Sequence, residues 1–213
     1  MPLQKWLLSI LKGAGLIWIG LLSAIEPAAA HHTLAGKMPS NFFEGFLSGL
    51  AHPVVGLDHL AFIVAVGLLS ASQPRGILIS VVFLLTALTG TGVHLLNSDL
   101  PGAEIVISIS VLALGLMLVV GKQASFNVLA GLAGLAGLFH GYAYGETIVG
   151  AEMTPLVAYL AGFTVIQYAV AMLAVGAGSL VFRASRSPLS LMRMGGCVIS
   201  VIGTTFLLRT ISH

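Results

Sequence analysis

Three side chains that can bind a metal cation lie within one stretch of eight residues, His-Pro-Val-Val-Gly-Leu-Asp-His, and they are His52, Asp58 and His59. A continuous α-helix would place His52 and His59 on one face, because their spacing of seven residues is close to two turns. Pro53 suits the first position of a helix, and Gly56 permits a distortion that brings the three side chains closer. Imidazole with carboxylate suits a borderline divalent cation, since the carboxylate offsets part of its charge. The alternative is structural, with His52 as a helix cap and Asp58 paired to His59.

A second stretch, Phe-His-Gly-Tyr-Ala-Tyr-Gly-Glu, starts at position 139 and adds the candidate ligands His140 and Glu146. His140 and Tyr144 share a helix face at a spacing of four. Glycines at the same spacing let another helix approach closely, which would bring that helix's ligands near His140. These glycines are Gly137, Gly141 and Gly145. Helix packing alone also explains their spacing.

The N-terminal thirty residues have the pattern of a secretory signal peptide. Two lysines precede an apolar run, and small residues up to Ala30 match a cleavage site. Cleavage there would make His31 and His32 the first residues of the mature chain, where they could recruit a metal cation. A retained first helix is the alternative, because the apolar stretch 6–25 is long for a signal core.

Composition indicates a membrane protein. Hydrophobic residues make up 57% of the 213 residues and charged residues only 8%, against about 25% charged residues in soluble domains. The 26 glycines agree, because helices in lipid pack through small residues. A net charge of +2 is too small to indicate nucleic-acid binding. The single cysteine, Cys197, excludes an intramolecular disulfide and a thiolate cluster, so any metal site must use nitrogen and oxygen ligands.

The apolar runs predict an all-α fold, a polytopic transmembrane helix bundle with six spans after the cleaved signal peptide. The six spans are predicted at roughly 53–71, 76–97, 103–121, 126–145, 155–182 and 189–209. The expected divisions are a signal peptide at 1–30, a periplasmic N-terminal segment at 31–52 and one transmembrane domain at 53–213.

A short helix is predicted just before the first span. Asn41 followed by Glu44 resembles a capping box, which marks a helix start. The helix would run from Phe42 to Leu50 and end at His52-Pro53.

Loop charges predict the orientation of the bundle, because Lys and Arg in short loops stay on the cytoplasmic side. The loops after the first, third and fifth spans hold only basic charges, at Arg75, Lys122, Arg183, Arg186 and Arg193. The loops after the second and fourth spans hold only acidic charges, at Asp99, Glu104, Glu146 and Glu152. We therefore expect both termini in the periplasm of a bacterium and the chain in its inner membrane.

This orientation places the candidate ligands in the outer half of the membrane. His94 joins them there, one turn inside the outer end of the second span, although a hydrogen-bonded packing role explains it equally well. Ionisable groups in lipid are costly and indicate function. A group of them near the outer surface is what capture of an external ion requires.

Over nearly its whole length the chain resembles the HupE/UreJ family of nickel and cobalt permeases, named from hydrogenase and urease gene clusters. The similarity rests on the motif His-Pro-x-x-Gly-x-Asp-His, the segment from His140 to Glu146, the six spans, and histidine directly after the signal peptide. The resemblance implies metal binding by His52, Asp58 and His59, joined by His140 and Glu146.

The chain departs from this family pattern at two places. Tyr144 stands where better-studied members have a second histidine, and Gln167, Tyr168 or Ala171 stands where they often have another. The sequence Ser-Asn-Phe-x-Glu-Gly-Phe before the first motif resembles the cyanobacterial branch of this family.

The sequence thus predicts a facilitator that carries nickel or cobalt and is not an enzyme. No Gly-x-x-x-x-Gly-Lys-Ser/Thr phosphate loop is present, so uptake would be driven by the gradient and the membrane potential. The expected partners are the lipid bilayer and the transported ion, with no resident cofactor and no nucleic acid, and the oligomeric state stays open. The alternatives are a membrane-embedded zinc-dependent hydrolase, a non-transporting accessory protein for hydrogenase or urease, and a proton-conducting protein.

Overall fold

The computed structural model describes residues 38–122, 124–185 and 187–212. These ranges are all-helical and form seven helices: α1 Phe42–Val55, α2 Leu57–Ser70, α3 Gly76–Leu95, α4 Ala103–Val120, α5 Phe126–Glu146, α6 Met153–Ala184 and α7 Pro188–Ser212. The predicted all-α class is therefore confirmed. The expected signal peptide, His31 and His32 lie outside the described residues, as do Arg186 and His213.

The helices α3 to α7 are each long and apolar enough to cross a membrane. Large apolar side chains on their outer faces stay exposed: Leu85 is 59% exposed, Leu180 66% and Leu173 73%. Continuous apolar surface of this kind is unfavourable in water and is solvated by lipid. The protein is an integral membrane protein.

The pair α1 and α2 makes a sixth crossing, broken in the middle. Each helix has 14 residues and is about 21 Å long, too short for a hydrocarbon core of about 30 Å, and the two are bent by 76°. Gly45 of α1 packs against Pro155 at the start of α6, and Ala71 just after α2 packs against Gly178 near its end. Because these contacts lie at opposite ends of α6, the pair traverses the bundle instead of turning back. Six crossings result, as the sequence predicts.

The start of α1 was predicted well, but its end was not. Asn41 caps the helix, its Oδ1 accepting the Glu44 amide at 3.0 Å. The predicted end at Leu50 and the role of Pro53 as a first helical residue are wrong, because α1 continues through Pro53 to Val55. The break comes at Gly56, whose ψ of 98° is extended and stops the helix.

Close glycine contacts hold the bundle together in pairs of helices. Gly141 of α5 lies directly against the backbone of Ala87 in α3, and Gly196 of α7 lies against Gly115 in α4. A Cβ at Gly141 would collide with the Ala87 backbone. Such packing replaces the hydrophobic effect, which is absent between helices in lipid.

The two ends of the bundle differ in charge. We call the end formed by the loops after α3 and α5 the acidic end, and that formed by the loops after α2, α4 and α6 the basic end. The loops of the basic end meet, since the Gln73 side chain donates from Nε2 to the Ala124 carbonyl at 2.9 Å.

Candidate metal-binding site

The break at Gly56 places the first motif on two helix ends inside the bundle. His52 lies in the last turn of α1, and Asp58 and His59 lie in the first turn of α2. The Asp58 carboxylate accepts the His59 backbone amide at 2.9 Å, which stabilises the start of α2. The rings of His52 and His59 stack at a centroid distance of 6.0 Å. The bend thus brings the two histidines together without a continuous helix.

His140 of α5 reaches the same place from the other side. Its ring is fully buried and lies 5.0 Å from that of His59, centroid to centroid. The two rings are tilted by 58°. Both predicted motifs are therefore neighbours inside the protein, in contact through His59 and His140.

Ser110 contacts one nitrogen of the His140 ring. Its hydroxyl oxygen lies 2.7 Å from the Ile107 carbonyl oxygen and 3.1 Å from His140 Nε2. When the serine proton goes to that carbonyl, Nε2 donates the second bond and the lone pair of the ring lies on Nδ1. His140 Nδ1 is buried and has no hydrogen-bond partner among the described residues.

Two hydroxyl groups contact the ring of His52. Thr147 Oγ1 and Tyr159 OH each lie within hydrogen-bond distance of His52 Nδ1, at 3.2 and 3.1 Å. Both hydroxyls also donate to the Tyr144 carbonyl, at 3.0 and 3.1 Å. The two hydroxyl oxygens also lie 3.1 Å apart, so Thr147, Tyr159 and His52 Nδ1 form one hydrogen-bonded network that holds the His52 ring in place.

The third histidine is oriented by a carboxylate. Asp58 Oδ1 lies 3.4 Å from His59 Nδ1, and the two side chains are only 17% and 7% exposed. This ion-pair distance places negative charge beside the His59 ring. His52 and His140 each have hydroxyl groups within hydrogen-bond distance of one ring nitrogen, an arrangement typical of metal-ligating histidines, and His59 lies beside a carboxylate.

The Tyr144 ring packs beside two of the histidines. The ring packs edge-on against His52 at 4.9 Å and against His59 at 4.4 Å, centroid to centroid. Its hydroxyl is buried and makes no hydrogen bond within the parts of the chain that the structure describes. A buried hydroxyl without a partner is costly, so this position favours a polar ligand.

Aromatic residues close the polar cluster toward the basic end. Phe62 lies one turn beyond His59 along α2, and its ring packs on His140 at 4.2 Å. Phe83 of α3 packs on Phe62 at 5.2 Å, and both phenylalanines are fully buried. These rings place an apolar layer beside His140 on the side of the basic end.

The side chains are not already arranged around one point. Within residues 38–122, 124–185 and 187–212, no three His, Cys, Asp or Glu side chains are grouped closely enough to hold a metal ion. His52, His59 and His140 instead form a row with His59 in the middle. Coordination of one cation by three of these residues would require ring rotation or helix movement.

Two other predicted ligands lie apart from this row. His94 packs against Tyr142 at 4.3 Å, near the acidic end of α3. Glu146 is exposed at the last residue of α5, and within the described residues its carboxylate makes no contact with the row. The role of these two residues as metal ligands remains a prediction.

The glycines of α5 face a helix that carries one predicted ligand. Gly137, Gly141 and Gly145 all face α3, so the predicted close approach is confirmed. This approach brings the His94 side chain against Gly145, whereas the histidine beside His140 is His59 of α2. The histidines near α5 therefore come from two different helices.

Sequence reasoning missed the hydroxyl groups that hold the rings. Ser110, Thr147 and Tyr159 lie 30, 95 and 107 residues from the histidines they contact. Hydroxyl residues are frequent in this chain, and no local spacing distinguishes these three. Only the helix packing identifies them.

Comparison with known proteins identifies the family of the chain. The sequence profile of the family described as HupE / UreJ protein matches residues 19–206. The chain belongs to the HupE/UreJ family. It is 30% identical over 167 residues to Protein HupE of Rhizobium leguminosarum bv. viciae, a match that covers 77% of this chain and 85% of that relative. No solved structure matches the chain.

Proposed function

We propose that this HupE/UreJ protein is a permease for divalent transition-metal ions, nickel or cobalt by preference, and that His52, Asp58, His59 and His140 bind the ion during passage. The observation that carries the proposal is the orientation of the three histidines. His52 and His140 contact hydroxyl groups through one ring nitrogen, and His59 Nδ1 lies 3.4 Å from the Asp58 carboxylate. Supporting contacts of this kind are typical of histidines that bind metal ions.

The chemistry of the site suits a borderline dication. Imidazole nitrogen is a good ligand for nickel, cobalt, copper and zinc, and Asp58 supplies negative charge that offsets part of the ion's own. The buried Tyr144 hydroxyl and His140 Nδ1 offer further donor atoms that lack partners among the described residues. Passage toward the basic end requires the Phe62 and Phe83 layer to open, because the rings fill the path.

The loop charges support import. When the basic end faces the cytoplasm across a bacterial inner membrane, the histidine row lies nearer the periplasm. At about 100 mV, inside negative, a dication gains about 4.6 kcal/mol on entry, so no pump is needed. A reporter fused after Ser72 is expected to be cytoplasmic, and one fused after Asp99 is expected to be exported. The reverse result would overturn the orientation and the direction of transport.

The function is tested by metal uptake into proteoliposomes, compared among nickel, cobalt, zinc, iron and manganese. Nickel or cobalt flux is expected in wild type. Asp58→Asn preserves the side-chain volume but removes a largely buried negative charge that offsets the charge of the ion. Uptake should fall at least about tenfold, because a rise of about 1.4 kcal/mol in the free-energy barrier to transport already has that effect.

Asp99→Asn is the matched control, because Asp99 is an exposed carboxylate of the acidic end. It should transport at the wild-type rate. Wild-type flux by Asp58→Asn, or a proton flux that needs no metal, would reject the permease site. Hydrolytic activity of purified protein would favour the zinc hydrolase instead.

A further inference from the structure

A second site lies at the basic end, far from the histidine row. A cavity of about 50 Å³ opens there between α2, α4, α6 and α7. Its walls are mainly apolar, with Leu68, Leu69, Met117, Leu118, Phe182 and Met192 among them. Lys122 and Gln73 lie at its rim, in the loops that form the basic end.

A larger groove of about 300 Å³ adjoins this cavity. It is lined by Ala71, Ser72, Ser179, Phe182 and Arg183. Ser72 and Phe182 line both spaces, so the groove and the cavity lie side by side and are treated as one cleft. One end of the combined cleft is therefore polar and basic, and the other is apolar.

The basic side chains at this cleft have no acidic partner in the described part of the chain. Arg183, Lys122 and Arg193 are exposed, and Arg193 lies beside Gly121 at the cavity rim. The described carboxylates all lie elsewhere, at Glu44, Asp58, Asp99, Glu104, Glu146 and Glu152. The cleft thus carries uncompensated positive charge where the helices leave the membrane.

We propose that this cleft binds one anionic phospholipid. Its phosphate would contact the Arg183 guanidinium and the Ser179 hydroxyl, and the upper part of an acyl chain would lie along Leu68, Met117 and Phe182. Basic pockets between helix ends on the cytoplasmic side are sites for acidic headgroups. A free anion would use the arginine but leave the adjoining apolar cavity without an occupant, which favours the lipid.

The proposal is tested by native mass spectrometry of the full chain in detergent, titrated with phosphatidylglycerol or with phosphatidylcholine of the same acyl chains. Phosphatidylglycerol should bind with one preferred stoichiometric step that phosphatidylcholine lacks. Arg183→Gln should weaken that step about fivefold, the effect of one basic residue at an anionic lipid surface. Arg183→Lys should restore most of it.

The matched control is Arg75→Gln, which removes an equal charge from an exposed position at the same end that lines neither space. It should bind phosphatidylglycerol like wild type. Equal weakening by both variants would show general surface attraction and reject the site. Displacement of the lipid by glycerol phosphate would assign the cleft to a free anion. Neither readout depends on metal transport.

Discussion

The two halves of this bundle are built from different residues. The acidic half buries histidines and tyrosines, with His52, His59, His140, Tyr144 and Tyr159 all under 6% exposed. The basic half is filled by apolar side chains such as Leu118 and Leu129, and its charges stay at the surface. Buried polar rings are expensive in lipid, whereas surface charges only orient the chain and attract anionic lipid. The asymmetry separates a half that contains the buried candidate site from a half whose charged groups are solvated.

The largest expected effect comes from the glycine that fixes α5 against α3. Gly141→Ala adds a Cβ that meets the Ala87 backbone, so we expect a loss of stability of about 1–3 kcal/mol, despite the better helix propensity of alanine. Thermal unfolding in detergent, followed by circular dichroism, measures it. Metal uptake should fall too, because His140 is the neighbouring residue.

Gly131→Ala is the control from the basic half of the same helix. A Cβ there meets no atom within 4 Å, so stability should stay the same or rise by up to about 1 kcal/mol. Equal destabilisation by the two substitutions would mean that α5 is sensitive along its whole length and that the halves do not differ in packing.

The next effect concerns the hydroxyl that orients His52. Tyr159→Phe removes a hydrogen bond to His52 Nδ1 and another to the Tyr144 carbonyl. Loss of such a supporting partner typically lowers metal affinity about 10–100-fold, and we expect the lower value because Thr147 still contacts the ring. Titration of the purified protein with nickel or cobalt measures this change.

Tyr168→Phe serves as the control, since Tyr168 lies on the same helix and is 44% exposed. It should leave metal affinity unchanged. Unaltered affinity in Tyr159→Phe as well would show that the hydroxyls only hold α5 to α6 and that the histidine orientation has another cause.

Sequence alone was enough for the fold class and for much of the site. Long apolar runs predict membrane helices, and the Asn41 cap is a local signal, so both were found. The spacing of His140 and Tyr144 correctly placed them on one buried face. These features depend on contacts within one helix.

The missed features depend on contacts between helices. Pro53 favours a helix start by local rules, but Gly45 and Gly49 pack α1 against α6 and the helix continues past the proline. The end of the first helix was assigned to Pro53, whereas the structure has it at Gly56, the residue at which a distortion was predicted. Likewise, the residues whose hydroxyl groups contact the histidines lie far from them in the sequence, so no local sequence pattern predicts these contacts.

The smallest effect, and the one with the most informative sign, is expected at Tyr144. Its hydroxyl is buried without a partner among the described residues, whereas that of Tyr159 makes hydrogen bonds. Tyr144→Phe removes an unsatisfied polar group, so stability in detergent without metal should rise by about 1 kcal/mol, while Tyr159→Phe should lower it by a similar amount. If the Tyr144 hydroxyl oxygen coordinates the metal ion during transport, metal uptake should fall in Tyr144→Phe although the protein is more stable. A stabilised protein with wild-type uptake would show that the Tyr144 ring only packs against the histidines. A destabilised one would show that the hydroxyl is already satisfied and remove it from the set of donor atoms.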